Sequence, residues 1–160
     1  MDAEFLVLGA GQEVGRSCVV LCCNGMNIMF DCGLHMGKKG DDRLPLVGVL
    51  GDDINAQVQL LVVTHFHLDH AGALPYLTEV LGFTGTVVMT TATKAIVPII
   101  LEDYHNICSG RCAMRPYLSA VPVGFKLVEV QYCAASSPSS SCAVDTTVMQ
   151  GRRSIHAASD

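Results

Sequence analysis

Thr64-His65-Phe66-His67-Leu68-Asp69-His70 follows directly on the apolar run Leu60-Leu61-Val62-Val63. Three imidazoles and one carboxylate are thus gathered in one short stretch at the end of a strand-like segment. Neutral imidazole nitrogen and carboxylate oxygen are the donors that zinc takes when it also keeps a position for water. Hydrolysis is the chemistry this donor set suggests.

The spacing supports a metal site. Val62, Val63 and their neighbours read as a strand buried on both faces, and His65 and His67, two apart, project the same way from extended backbone. That pair can grip one metal. A chain that turns after them would aim Asp69 and His70 at a second position nearby. Gly72, Ala73 and Pro75 predict a tight turn into a short helix over 76–81, so the donors are expected on the loop between strand and helix. Lone histidines usually decorate solvated loops, but four specified residue types in this order rarely coincide at average composition. The helical alternative, H-E-x-x-H, spaces its histidines four apart on one helix face, and this stretch does not follow it.

Towards the N-terminus, residues 4–8 predict a strand that meets Gly9-Ala10-Gly11-Gln12-Glu13-Val14-Gly15. This G-x-G-x-x-x-G is one residue longer than a dinucleotide-binding turn, and residues 17–23 continue as a Val- and Cys-rich strand. The helix that would cradle a pyrophosphate is missing. Asn24-Gly25 predicts a hairpin between that strand and residues 26–30, so the chain is expected to begin as a meander. Asp31-Cys32-Gly33 ends the third strand, and Asp31 reads equally well as a turn former or as a group that supports the metal loop. Residues 37–53 read as a mobile connection, and His35 as incidental.

Towards the C-terminus, residues 85–89 predict a strand and 91–107 a helix, started near Thr91 or Thr93 and bent or broken at Pro98. The character changes at about Cys108. Beyond it only 124–132 is strand-like, and the Ser-rich stretch after Cys133 predicts disorder. His156 in that tail reads as solvated.

The chain has 160 residues, half of them hydrophobic, and a formal net charge of −5. That suits one domain with a sizeable core. It argues against holding nucleic acid by bulk electrostatics, although bound metals could supply local positive charge. Met1-Asp2-Ala3-Glu4 opens no signal peptide and no apolar run approaches a bilayer span, so a soluble intracellular chain is expected. Cys18, Cys22, Cys23 and Cys32 lie in or beside strand-like segments and read as free thiols of a reducing compartment. Cys108, Cys112, Cys133 and Cys142 lack the paired C-x-x-C spacing of a zinc knuckle.

Taken together, residues 8–17, Phe30-Asp31-Cys32-Gly33, His35-Met36-Gly37, residues 65–76 and Pro98-Ile99-Ile100-Leu101-Glu102-Asp103-Tyr104 resemble the metallo-β-lactamase superfamily. Within it they resemble the β-CASP branch of nucleic-acid-processing nucleases, which holds the Integrator-type endonucleases and those of the cleavage and polyadenylation machinery. The resemblance implies an α/β fold, the N-terminal portion of an αββα sandwich. It implies a partial domain over 1–107 and a divergent tail over 108–160, disordered over 133–160. His65 and His67 would bind one zinc ion, Asp69 and His70 a second, with Asp31 supporting the loop by hydrogen bonding and no catalytic side chain beyond the ligands.

The implied activity is metal-dependent RNA phosphodiester hydrolysis, at the 3′ end of small nuclear or nascent messenger-type RNA. The implied partners are RNA and Integrator-type complex subunits rather than a membrane, and the implied place is the nucleus, with the cytoplasm as a second compartment. The family also uses a further histidine after a strand, an aspartate bridging both metals, a distant histidine and the β-CASP insertion. None of those motifs appears after Ile107, and neither Asp145 nor His156 stands at a strand end to replace them. A fragment with impaired activity is therefore expected. Two other readings compete: a non-catalytic product that binds a protein partner, and a small-molecule hydrolase sharing the same histidine loop.

Overall fold

The computed structural model describes residues 2–108 and 126–130. β1 (Ala3–Gly9), β2 (Cys18–Cys23) and β3 (Met26–Phe30) pair antiparallel in sequence order, the expected meander. Asn24 and Gly25 between β2 and β3 have φ of 52° and 75°, the two positive values of a tight hairpin turn whose twist suits the flanking strands. β4 (Leu60–Val62), β5 (Thr86–Thr90) and β6 (Lys126–Val130) then add in parallel, giving the order β1-β2-β3-β4-β5-β6. The fold class is mixed α/β, as the sequence implies.

One row of side chains runs across this sheet. Val20 stands opposite Met29, Met29 opposite Leu61 and Leu61 opposite Val87, and all four are fully buried. Leu74, Leu77, Val97 and Leu101 from the helical segments belong to the same core, so that face carries the cover. Successive strand residues point to opposite faces, and the alternate row, Val19, Phe30, Val62 and Val88, is only half-buried. The expectation that residues 60–63 are buried on both faces is thereby corrected. Leu61 and Val63 are buried, whereas Leu60 and Val62 are half-exposed.

Three further expectations change. Residues 37–53 form two short 3-10 turns (Gly40–Arg43 and Val47–Leu50) that lead into α1 (Ile54–Gln57), rather than a loose connection. Leu44, Val47 and Ile54 are buried there, Arg16 Nη1 donates to the Asp42 and Leu44 carbonyls at 3.2 and 3.4 Å, and the Arg43 guanidinium lies 5.2 Å from the Tyr104 ring centroid. Buried apolar anchors between Gly- and Asp-rich turns, not composition, decide its order. Asp53 caps α1 by accepting from Asn55 N and Ala56 N, as N-cap aspartates do.

The helix after the histidine stretch starts earlier than expected. α2 (Leu68–Ala71) carries Asp69 and His70 in its own turn, and a π turn follows at Tyr76–Val80. The last helix, α3 (Thr91–Cys108), runs as one element through Pro98. Its cap is Thr90, the last residue of β5, whose hydroxyl accepts from Thr93 N at 3.2 Å. None of the described helices is long and apolar enough to cross a membrane. The tail expectations, including disorder over 133–160 and the cysteines and histidine at 112, 133, 142 and 156, lie outside the described residues.

Residues 31–34, just after β3, form the bed on which α2 rests. Cys32 N donates to His70 O at 2.8 Å, Leu34 N to Leu68 O at 2.8 Å, and Ala73 N to Cys32 O at 2.9 Å. Ser17 joins them, its N donating to Asp69 O at 2.9 Å while its own carbonyl accepts from Gly33 N at 3.0 Å. A β-carbon on Gly33 would overlap the Asp69 carbonyl and stand 2.8 Å from His70 N. Gly33 is therefore required by close approach of two backbones.

Two predictions follow from this packing. Gly33→Ala is expected to destabilise the chain by about 2 kcal/mol, the usual cost of overfilling a packed site, measured by urea unfolding. A midpoint unchanged from the parent would mean the two backbones are not in contact. Burial, with the nearby Asp31 charge, pushes the Cys18 thiol up to about 12, and burial together with Cys18 and Asp31 pushes Cys32 well above its ordinary value. Since the thiolate is the reactive form, iodoacetamide is expected to spare both in the folded chain and label both in urea. Native-state labelling of Cys18, seen by peptide mass mapping, would show that the sheet core opens.

Candidate metal centre

Parallel pairing of β3 with β4 sets the site. Phe30 lies opposite Val62, so the two strands deliver residues 31 and 63–64 side by side at their C-terminal ends, where open α/β sheets place their ligand sites. Asp31 N donates to Val62 O at 2.9 Å and Val63 N to Val88 O at 2.8 Å, holding the chain extended as it leaves β4. His65 and His67 follow in that extended stretch, and His67 has φ −63° and ψ 148° just before α2 begins.

The side chains gather as two pairs. His65 Nε2 and His67 Nδ1 stand 3.1 Å apart, and His70 Nε2 lies 3.5 Å from Asp69 Oδ2. The pairs adjoin, since the His65 and His70 ring centroids are 4.0 Å apart. Two nitrogens on one tetrahedral zinc, with bonds of about 2.0–2.1 Å, would be roughly 3.3 Å apart, so the first pair nearly spans one edge of such a shell. Among the described residues no three His, Cys, Asp or Glu side chains stand together in metal-holding geometry. The side chains thus stand as two adjoining pairs, each of atom types that metals accept.

Asp31 lies behind the second pair. It is 4% exposed and its φ is 61°, a left-handed conformation that aspartate tolerates better than most residues. A buried carboxylate needs hydrogen bonds, and this one accepts from Thr64 N at 2.8 Å and meets His70 Nδ1 at 2.8 Å. Thr64 Oγ1 lies 3.0 Å from each Asp31 oxygen. Asp31 thus turns the chain and ties Thr64 and His70 to the end of β3. Its contact with His70 Nδ1 leaves His70 Nε2 directed at Asp69, an arrangement common among ligating histidines.

The surroundings of His65 favour its neutral form. Burial, then the neighbouring His70 and His67, lowers the pKa of His65 against the opposing pull of Asp31 and Asp69. Neutral imidazole is the form that accepts a metal.

His35 stands outside the pairs. Its Nδ1 accepts from Gly37 N at 3.1 Å, and its Nε2 is 3.8 Å from Glu13 Oε2. Glu13 also holds Lys38 Nζ and Arg16 Nε, each at 2.6 Å. The Lys38 contact, and secondarily Arg16, keeps the Glu13 carboxyl below its ordinary range. Sequence reading did not assign Ser17 or Thr64 any part in the site. A hydroxyl directly before the first histidine was the available signal for Thr64; no local pattern marks Ser17.

Comparison with known proteins identifies the family. Residues 11–97 match the family model of the metallo-beta-lactamase superfamily. Cleavage and polyadenylation specificity factor subunit 3-II of Arabidopsis thaliana is 51% identical over 114 residues, 69% of this chain and 18% of that protein. The Integrator complex subunit 11 homolog of Dictyostelium discoideum is 48% identical over 109 residues, 67% of this chain and 15% of that protein. Human tRNase Z, short form, superposes with a TM-score of 0.44 at 21% identity, over 86% of this chain and 49% of that one. The chain thus spans less than a fifth of the length of these two sequence relatives. With its family model matched from the turn after β1 through β2, β3, the histidine stretch and the start of α3, this chain belongs to the metallo-β-lactamase superfamily.

Proposed function

We propose that this chain carries half of a two-zinc centre for RNA phosphodiester cleavage, of the kind used by Integrator-type and polyadenylation-type endonucleases. His65 Nε2 and His67 Nδ1 hold one ion, Asp69 and His70 Nε2 the other, and Asp31 fixes His70 through its Nδ1. The single observation that carries this reading is the pairing of donors at 3.1 and 3.5 Å at the end of β4. When bound, two such ions lower the pKa of water and neutralise charge that develops on a transferring phosphoryl group. The chain's own part is to hold four donors in place. Backbone bonds from Ser17, Cys32 and Leu34 anchor the carbonyls of Asp69, His70 and Leu68.

RNA as substrate, complex subunits as partners and the nucleus as compartment are proposed from the kinds of protein to which the chain is similar. Each ion finds two donors among the described residues where zinc takes four. The chain by itself is therefore expected to bind zinc weakly and to cleave RNA slowly at best.

A second reading rests on a different observation. The row Val19, Phe30, Val62 and Val88 is apolar across four strands and only half-buried, and apolar surface left partly open suits a partner-binding, non-catalytic role.

Zinc titration of the full 160-residue chain, followed by assays on an RNA oligonucleotide and on a thioester, separates these readings. Uptake of zinc with weak, chelator-sensitive RNA cleavage supports the nuclease reading. Thioester turnover in its place points to a small-molecule hydrolase, and no metal uptake favours the partner-binding role. Asp31→Asn is expected to weaken zinc binding by about 10–100-fold, the usual effect of removing a group that orients a ligand. Unchanged affinity in that variant would remove Asp31 from the site.

A further inference from the structure

We propose that Thr64 is a positioning residue that sets the tautomer of His65, relaying the Asp31 carboxylate to the first donor pair. The proposal rests on the two-pair reading of the centre for its consequence, but its proton placement stands on the metal-free geometry alone. Thr64 Oγ1 lies 3.0 Å from both Asp31 oxygens and 3.0 Å from His65 Nδ1. A hydroxyl has one proton and two lone pairs, whereas an ionised carboxylate has lone pairs only.

The proton of Thr64 must therefore point at Asp31. Turned towards His65, it would set hydroxyl lone pairs against the lone pairs of two carboxylate oxygens, each 3.0 Å away. With the proton on the Asp31 side, His65 Nδ1 must be the donor in its contact with Thr64. His65 then carries its hydrogen on Nδ1 and a lone pair on Nε2, the atom 3.1 Å from His67 Nδ1. In the metal-free chain His67 Nδ1 donates across that contact.

The result is an asymmetric arrangement. Asp31 touches His70 directly at 2.8 Å and reaches His65 only through the Thr64 hydroxyl. One carboxylate orients an imidazole in each pair, so loss of Asp31 disturbs both pairs and loss of the hydroxyl disturbs only His65 with His67. Thr64 suits substitution. Its side chain is exposed, and its backbone N–H bond to Asp31 Oδ1 does not depend on the side chain.

The test uses the full chain with Thr64→Val, which keeps the shape and removes the hydroxyl, and Thr64→Ser, which restores it. Thr64→Ala serves where valine perturbs the strand end. Long-range proton–nitrogen NMR correlation of the metal-free protein reads the tautomer. The parent and Thr64→Ser are expected to show His65 protonated at Nδ1, and Thr64→Val to lose that state. Zinc titration is expected to show affinity at one of two ions reduced by about 10–100-fold in Thr64→Val, with Thr64→Ser close to the parent.

A His65 tautomer unchanged in Thr64→Val overturns the proposal, as does a parent protonated at Nε2. A parent that takes up no zinc but shows the Thr64-dependent tautomer upholds the relay and sinks the two-ion reading.

Discussion

The buried carboxylate of Asp31 is the contact on which the site depends. It lies where two parallel strands end together, and it binds the residue leaving β4 through Thr64 and the helix beyond through His70. Strand pairing supplies the first of these neighbours, since Phe30 opposite Val62 leaves Asp31 level with the stretch that becomes Thr64. The bed of residues 31–34 supplies the second, because Cys32 and Leu34 hold α2 by its carbonyls. Without either constraint the histidines would be a solvated loop, and no metal could find two donors at a fixed separation.

Backbone contacts and side-chain contacts divide the work. The main chain of Ser17, Cys32, Gly33 and Leu34 fixes where α2 lies, and Gly33 permits it by having no β-carbon to strike Asp69. Asp31 and Thr64 then meet the rings themselves, at His70 Nδ1 and His65 Nδ1. Placement to within a fraction of an ångström and choice of tautomer are separate requirements of a metal ligand. Here the placing rests on main-chain hydrogen bonds, which is why several of the residues concerned carry no chemical signature.

That division also explains what was legible in the sequence. The meander, the Asn24-Gly25 turn, the strand before His65 and the long helix after Thr90 follow from period and turn chemistry, and the structure contains all of them. His65, His67, Asp69 and His70 drew notice because half of the chain's six histidines fall in one short stretch. Residues 37–53 misled because Gly and Asp dominate their composition while Leu44 and Val47, with Ile54 just beyond them, decide their packing. Leu68 as a helix start was hidden because the turn signals, Gly72 and Pro75, come after it. Ser17 could not be found at all, since its contribution is a backbone N–H and a carbonyl supplied from a distant part of the chain.

The energetics of Asp31 show why this position holds an aspartate in a conformation that favours glycine. A left-handed backbone at a residue with a side chain costs on the order of 1 kcal/mol. Each hydrogen bond to a charged group contributes about 1.5–3 kcal/mol, and Asp31 has contacts with Thr64 N, Thr64 Oγ1 and His70 Nδ1. Even at the lower figure those contacts outweigh the backbone strain severalfold. Glycine would relieve the strain and leave Thr64 N and His70 Nδ1 without their partner. The strained turn and the supported histidine are thus one feature, because only a backbone bent in this way points the carboxylate back between the two strand ends, where both donors can reach it.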